Sequence, residues 1–147
     1  MADLNKYRGD FTWEGVSLLR YKEDETSFRS VTRQILSEDM EGLPVQLRYF
    51  EIADNGYSTL ERHEHVHIIV VLRGSGRALS GSEIVDLEPF DVLRIPRGAW
   101  HQFRATRGEA LGFLCLVPQE RDRPRRPDPE ELARLVTDPH LAAFVRR

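Results

Sequence analysis

Apolar and polar positions alternate with a period of two over much of this chain, the spacing of strands whose side chains point to opposite faces. The runs VTRQIL (31–36), QLRYFEIA (46–53), HVHIIVVL (65–72), GRALSG (76–81), SEIVDL (82–87), DVLRIP (91–96), HQFRAT (101–106) and LGFLCLV (111–117) are rich in β-branched and aromatic residues. Turn formers punctuate them: Asp54-Asn55-Gly56, Gly74-Ser75-Gly76, Ser80-Gly81-Ser82, Glu88-Pro89, Pro96-Arg97-Gly98 and Arg107-Gly108. Short strands recurring every roughly 8 to 12 residues predict an all-β sandwich or barrel.

Helix signals are confined to the end of the chain. Asp128-Pro129-Glu130-Glu131 supplies an N-cap, a first-turn proline and a capping-box glutamate, and Asp138-Pro139 repeats the start signal before HLAAFV. The stretch PQERDRPRRPDP (118–129) is rich in proline and charge and reads as a linker over the barrel surface. The expected plan is an N-terminal extension (1–40) whose strands complete the barrel or a dimer interface, a barrel (41–118), and a linker with C-terminal helices (119–147).

Composition narrows the partners. At 147 residues, 40% hydrophobic and 31% charged, the chain is sized for one domain with its own core. A net charge of -3 gives no general pull toward nucleic-acid phosphates or anionic lipid, which leaves a small molecule as the expected partner. No apolar window is long enough to span a membrane, and the first residues carry charge where a signal peptide needs an apolar stretch, so a cytoplasmic protein is expected. Cys115 is the single cysteine, so an internal disulfide is impossible and any metal falls to histidine and carboxylate.

The stretch ERHEHVHIIVVLRGSG (61–76) concentrates the chemistry. In a strand, Glu61, His63, His65 and His67 share one face, and three imidazoles are costly to bury unless something satisfies them. A divalent metal does so; a solvated edge strand is the alternative. Further on, Pro96, Gly98 and His101 follow a hydrophobic run in the spacing PxGxxH, a tight turn that starts a strand beside the histidine run.

Together these segments resemble the paired motifs of the cupin superfamily, in which G and HxHxxxE, six residues and a further G precede GDxxxxPxGxxH. The landmarks are Gly56 and Leu60 before the histidines, Val71-Leu72-Arg73-Gly74 after them, and Phe90-Asp91 opening the second motif. The resemblance spans residues 46–117 and implies a double-stranded β-helix, the jelly-roll barrel of cupins. Counted back from Gly74, the family's Glu falls on His67, its second His on His63 and its first on Glu61. The implied metal ligands are therefore Glu61, His63, His67 and His101, with Glu and one His exchanged. His65, not a ligand in the family pattern, is left to replace Glu61 or to transfer protons.

Alternation in LGFLCLV puts Phe113, Cys115 and Val117 on one face. A lone cysteine there is a small buried hydrophobe or, beside a metal inside the barrel, a nucleophile. The longer pattern, LRYFEIADNGYSTLERHEHVH with WHQFR, LGFLC and RDRP, resembles a small bacterial group of cupins of the methylthio-xylulose phosphate methylthiotransferase type. That resemblance implies a step of methylthioadenosine salvage: a methylthio group moves from a phosphorylated ketose to a thiol such as glutathione, with a divalent metal. Manganese is foremost, with Fe, Ni, Co or Zn as alternatives. In it Cys115 would accept the methylthio group and His65 would move the proton. Arg48, Arg94, Arg104, Arg121 and Arg123 are candidates for the phosphate, and Tyr57 and Trp100 for the pocket mouth. Cupins also include dioxygenases, isomerases, lyases and non-enzymatic sensing modules, so the reaction has to be argued from the site. The segment Asp10 to Leu36 reads as a dimer element, and a homodimer is expected.

Overall fold

The computed structural model describes residues 2–20 and 28–147. A hairpin of β1 (Tyr7–Gly9) and β2 (Thr12–Trp13) precedes a nine-stranded sheet. The sheet comprises β3 (Leu19–Arg20), β4 (Arg29–Ser37), β5 (Val45–Tyr57), β6 (His67–Arg73), β7 (Gly76–Ser80), β8 (Glu83–Leu87), β9 (Val92–Ile95), β10 (His101–Arg104) and β11 (Leu111–Pro118). Its main path runs β8-β7-β10-β5-β11-β6-β9, with β4 on β5 and β3 on β4, and every pairing is antiparallel. The sheet curls into the expected jelly-roll barrel.

The long strand β5 makes the curl. Asp54-Asn55-Gly56, expected as a turn, is instead a kink inside this strand: Asn55 has φ 62°, and the backbones of Asn55 and Gly56 pair with Ala105. Beyond the kink β5 pairs with β10 at Tyr57; before it, β5 lies between β4 and β11. A Cβ on Gly56 would overlap the carbonyl oxygens of Arg29 and Ala53, so glycine is needed there by close approach.

Alternation sorts the side chains as the sequence implies. Leu111, Phe113, Cys115 and Val117 of β11 are buried with Ile69 and Val71 of β6 and Phe50 and Ile52 of β5, while Leu114 and Leu116 are only half-buried on the outer face. Full burial of one such side chain stabilises by about 1.5–3 kcal/mol. On the outer face Tyr49 is also buried, because the N-terminal hairpin covers it: Phe11 stacks on its ring at 5.4 Å and Trp13 meets its edge at 5.5 Å.

The C-terminal helices α1 (Pro129–Leu135) and α2 (Pro139–Phe144) start where their caps predict. Asp128 accepts from Glu131 N and the Glu131 side chain returns to Asp128 N, a complete capping box; Asp138 caps α2 through His140 N. Leu141, Phe144 and Val145 form a second apolar cluster with Leu60 and Leu79. Fully buried Gln102 fastens this end: its amide donates to Ser58 O and Arg146 O and its oxygen accepts from Arg146 N.

The segment expected as a surface linker is pinned rather than loose. Gln119 N donates to Pro44 O, and Arg125 pairs with Arg62 through two backbone hydrogen bonds of 2.8 and 2.9 Å. Phe144→Ala removes the largest side chain that seals α2, and we expect a loss of about 3 kcal/mol in urea unfolding with no loss of metal-binding capacity.

Candidate metal centre

Backbone pairing assembles the site before any side chain is considered. Glu61 and His101 form an isolated antiparallel bridge, Glu61 N to His101 O at 3.2 Å and His101 N to Glu61 O at 2.9 Å. Gly98 N donates to His63 O at 2.8 Å, which ties the Pro96-Arg97-Gly98 turn to the histidine run. The two motifs recognised in the sequence therefore meet at one end of the barrel.

The histidine run is not one continuous strand. β6 begins at His67, and the chain bends at Glu64 and His65, so the expectation that Glu61, His63, His65 and His67 share a strand face is corrected. The cause lies far along the chain. The Asp122 carboxylate accepts from Glu64 N at 2.8 Å, His65 N at 3.0 Å and His65 Nδ1 at 2.8 Å, taking up donors that an extended strand would give to a neighbour. These contacts hold the Asp122 carboxyl well below the usual range. The His65 ring lies flat on His63, centroids 3.5 Å apart and planes 6° apart, and it does not line the barrel cavity.

His63, His67 and His101 do come together. All three are buried, and one ring nitrogen of each lies within 4.8 Å of the others. Each ring has a partner behind it: His63 Nδ1 meets His65 O at 2.8 Å, His101 Nδ1 meets Ala99 O at 3.0 Å, and His67 Nδ1 meets Cys115 Sγ at 3.2 Å. A carbonyl oxygen can only accept, so the protons of His63 and His101 sit on Nδ1 and their Nε2 atoms carry the lone pairs. His63 Nε2 faces His67 Nε2 at 2.8 Å, and His101 Nε2 is buried without a hydrogen-bond partner. Converging imidazole nitrogens, that of His101 buried with no partner, fit a divalent metal ion. Glu61 Oε1 is 3.9 Å from His101 Nε2, at the rim of the same cluster.

Burial keeps these rings neutral, the protonation state a metal requires. Desolvation, followed by repulsion from the neighbouring histidines and Arg48, pushes His67 down to about 2. Desolvation also lowers His101 to about 4 and depresses His63 and His65.

The cluster opens into a cavity of about 570 Å³, counting its mouth. Glu61, His67, His101, Cys115 and Arg48 form its polar side; Phe50, Phe103 and Phe113, stacked in series at 5.7 and 4.7 Å, form an apolar wall. Cys115 is a buried core side chain that also lines the cavity wall. Its Sγ lies 3.2 Å from Arg48 Nη2 as well as 3.2 Å from His67 Nδ1; burial raises the thiol and Arg48 opposes that shift.

Of the arginines considered for a phosphate, Arg48 alone lines this cavity. Arg104 donates to Phe144 O, Arg121 to Gln46 and the carbonyls of Pro118 and Gln119, and Arg94 and Arg123 are exposed. Tyr57 and Trp100 do not line it either: Trp100 packs against the second apolar cluster beneath Arg62 and Arg125. Asp122 is the contributor that pattern reading missed. Its only sequence signal is its place in the RDRP run, which carries no local motif.

A jelly-roll barrel with three histidines convergent at one end defines a cupin, and the chain belongs to the cupin family: residues 48–117 match the family's cupin domain. Over 140 residues, 95% of this chain and 89% of the relative, it is 48% identical to a Rhodospirillum rubrum protein named 1-methylthio-D-xylulose 5-phosphate methylsulfurylase. Among solved structures, a cupin 2 conserved barrel domain protein from Rhodopseudomonas palustris is 45% identical with a TM-score of 0.94, covering 98% of this chain and 99% of that one. A cupin-2 domain protein from Rhodospirillum rubrum is 48% identical with a TM-score of 0.87, over 96% and 95% of the two chains.

Two outcomes follow from this geometry. His101→Ala should abolish stoichiometric metal binding, whereas Asp122→Ala, which leaves every ligand in place but frees the Glu64–His65 bend, should weaken it about 10- to 100-fold in chelator competition. In the metal-free protein the buried rings resist protons that the unfolded chain takes up below its ordinary imidazole pKa of 6.5. Stability contributed by these neutral rings is therefore present above pH 6.5 and lost as pH falls toward 4, by on the order of 3 kcal/mol for His101. Thermal melts across that window, with and without metal, measure it.

Proposed function

We propose that this protein is a metal-dependent cupin enzyme that transfers the methylthio group of a methylthio-ketose phosphate to a thiol. One observation carries the reading: Cys115 Sγ stands in the cavity wall 3.2 Å from His67, beside the histidine cluster. The 48% identity to a protein named for a methylthio-xylulose phosphate supports the substrate. We assign Glu61, His63, His67 and His101 as the metal ligands, manganese as the metal and glutathione as the thiol, in a cytoplasmic homodimer. Leu18 and Met40, 56% and 61% exposed, support a dimer contact near the N-terminal extension.

Held by those residues, a divalent ion supplies Lewis acidity toward a ketose carbonyl and the oxygen next to it. The chain's own groups do the rest. Arg48 Nη2 and His67 Nδ1 hold the Cys115 sulfur at the cavity wall. The Cys115 thiolate attacks the methylthio sulfur; a sulfur–sulfur bond forms as the carbon–sulfur bond breaks, and its electron pair stays on the carbon. That carbon takes a proton, balanced by the one the external thiol gives up as it ionises. The external thiolate then attacks the methylthio sulfur of the mixed disulfide, which releases Cys115 and carries the methylthio group away. His65, stacked on His63 and held by Asp122, serves the site by position rather than by proton transfer. The phenylalanine wall keeps bulk water from the reacting carbon.

Cys115→Ser retains the volume and the hydroxyl contact to Arg48 but cannot form a disulfide. It should keep the metal content of the wild type and lose at least about 10³-fold in thiol-dependent turnover of the methylthio-ketose phosphate. Turnover near the wild-type rate in this variant would remove Cys115 as the acceptor of the methylthio group.

A further inference from the structure

We propose that Arg48 is the receptor for an oxyanion of the molecule that occupies the barrel. This rests on the reading of the cavity as a substrate pocket and adds the group that reads the substrate's charge. Arg48 projects from the first part of β5, directly across from Cys115 in β11, and is 6% exposed. Its guanidinium lies over the Phe50 ring at 4.9 Å and lines the cavity with Glu61, His67 and His101.

A guanidinium offers five N–H donors and stays charged at any pH the protein survives. Among the described residues Arg48 makes one polar contact, Nη2 to Cys115 Sγ at 3.2 Å, while its Nε is buried with no hydrogen-bond partner. It is in no ion pair with a described carboxylate. Burying a cation with no counter-ion is costly. The partner that offsets it has to arrive with the ligand. A soft sulfur satisfies one donor; the remaining planar fork matches a carboxylate, a phosphate or an enolate oxygen. With neutral imidazoles, a divalent ion, Arg48 and the Glu61 carboxylate leave surplus positive charge at this end of the pocket, which suits a dianionic ligand. For a ketose phosphate the oxyanion is the phosphate itself or the enolate formed as the carbon–sulfur bond breaks.

The test uses metal-loaded wild type, Arg48→Gln and Arg48→Lys, each checked for metal content and circular dichroism. Inorganic phosphate is titrated while the phosphorus-31 line width is followed, and kcat and KM are measured on the methylthio-ketose phosphate and its dephosphorylated form. If phosphate is the bound group, Arg48→Gln raises half-saturating phosphate at least tenfold and erases the KM preference for the phosphorylated substrate, with Arg48→Lys between it and the wild type. If the enolate is the bound group, Arg48→Gln lowers kcat by the same factor, tenfold or more, on both substrates and leaves their KM values alone. Unchanged half-saturation together with unchanged kcat and KM on both substrates overturns the proposal. Should the wild type turn over neither substrate, the methylthio reading falls, and the phosphate titration alone then decides on Arg48: an unaltered titration in Arg48→Gln overturns its role as an oxyanion receptor.

Discussion

Neutral imidazoles packed side by side in a protein interior can coordinate only if each ring has an acceptor behind it and nothing in front. The rest of this site depends on that constraint. Ala99 O and His65 O each lie behind a ring because the PxGxxH turn and the Glu64–His65 bend bring carbonyl oxygens into line with Nδ1. The third backing group is a sulfur, which the pairing of β11 with β6 carries to His67. Strand order, bend and turn all act on the orientation of one set of lone pairs.

Much of the barrel was legible because burial in a sheet is periodic. The inward face of β11, the strands around it and both helix starts follow from alternation and from capping side chains placed within a few residues of their targets. The candidate ligands His63, His67 and His101 were legible for a related reason: two short motifs fix their register to turn residues nearby. The kink at Asn55 was misread as a turn because a left-handed Asn followed by Gly serves either purpose, and only the partner strand decides.

What stayed hidden was non-local. Register set His65 apart from its neighbours, but the bend beneath it is made by a carboxylate 57 positions away. Arg48 sits in Gln46-Leu47-Arg48-Tyr49-Phe50, where inward and outward positions both mix polar and apolar residues, so alternation could not say which way it points. The burial of Tyr49 on an outer face depends on the separate N-terminal hairpin. Each of these is a contact between segments whose sequences carry no mark of one another.

The pinned segment after β11 has a consequence for what counts as the functional unit. The family-defining core spans residues 48–117, yet Asp122, the Arg62–Arg125 bridge and the Gln102–Arg146 clasp lie outside it or reach out of it. A fragment cut to the core, or a graft of this barrel into another protein at those limits, would carry all three coordinating histidines and leave behind the carboxylate that shapes the bend between two of them. The portable piece is the barrel with its tail still wrapped around it.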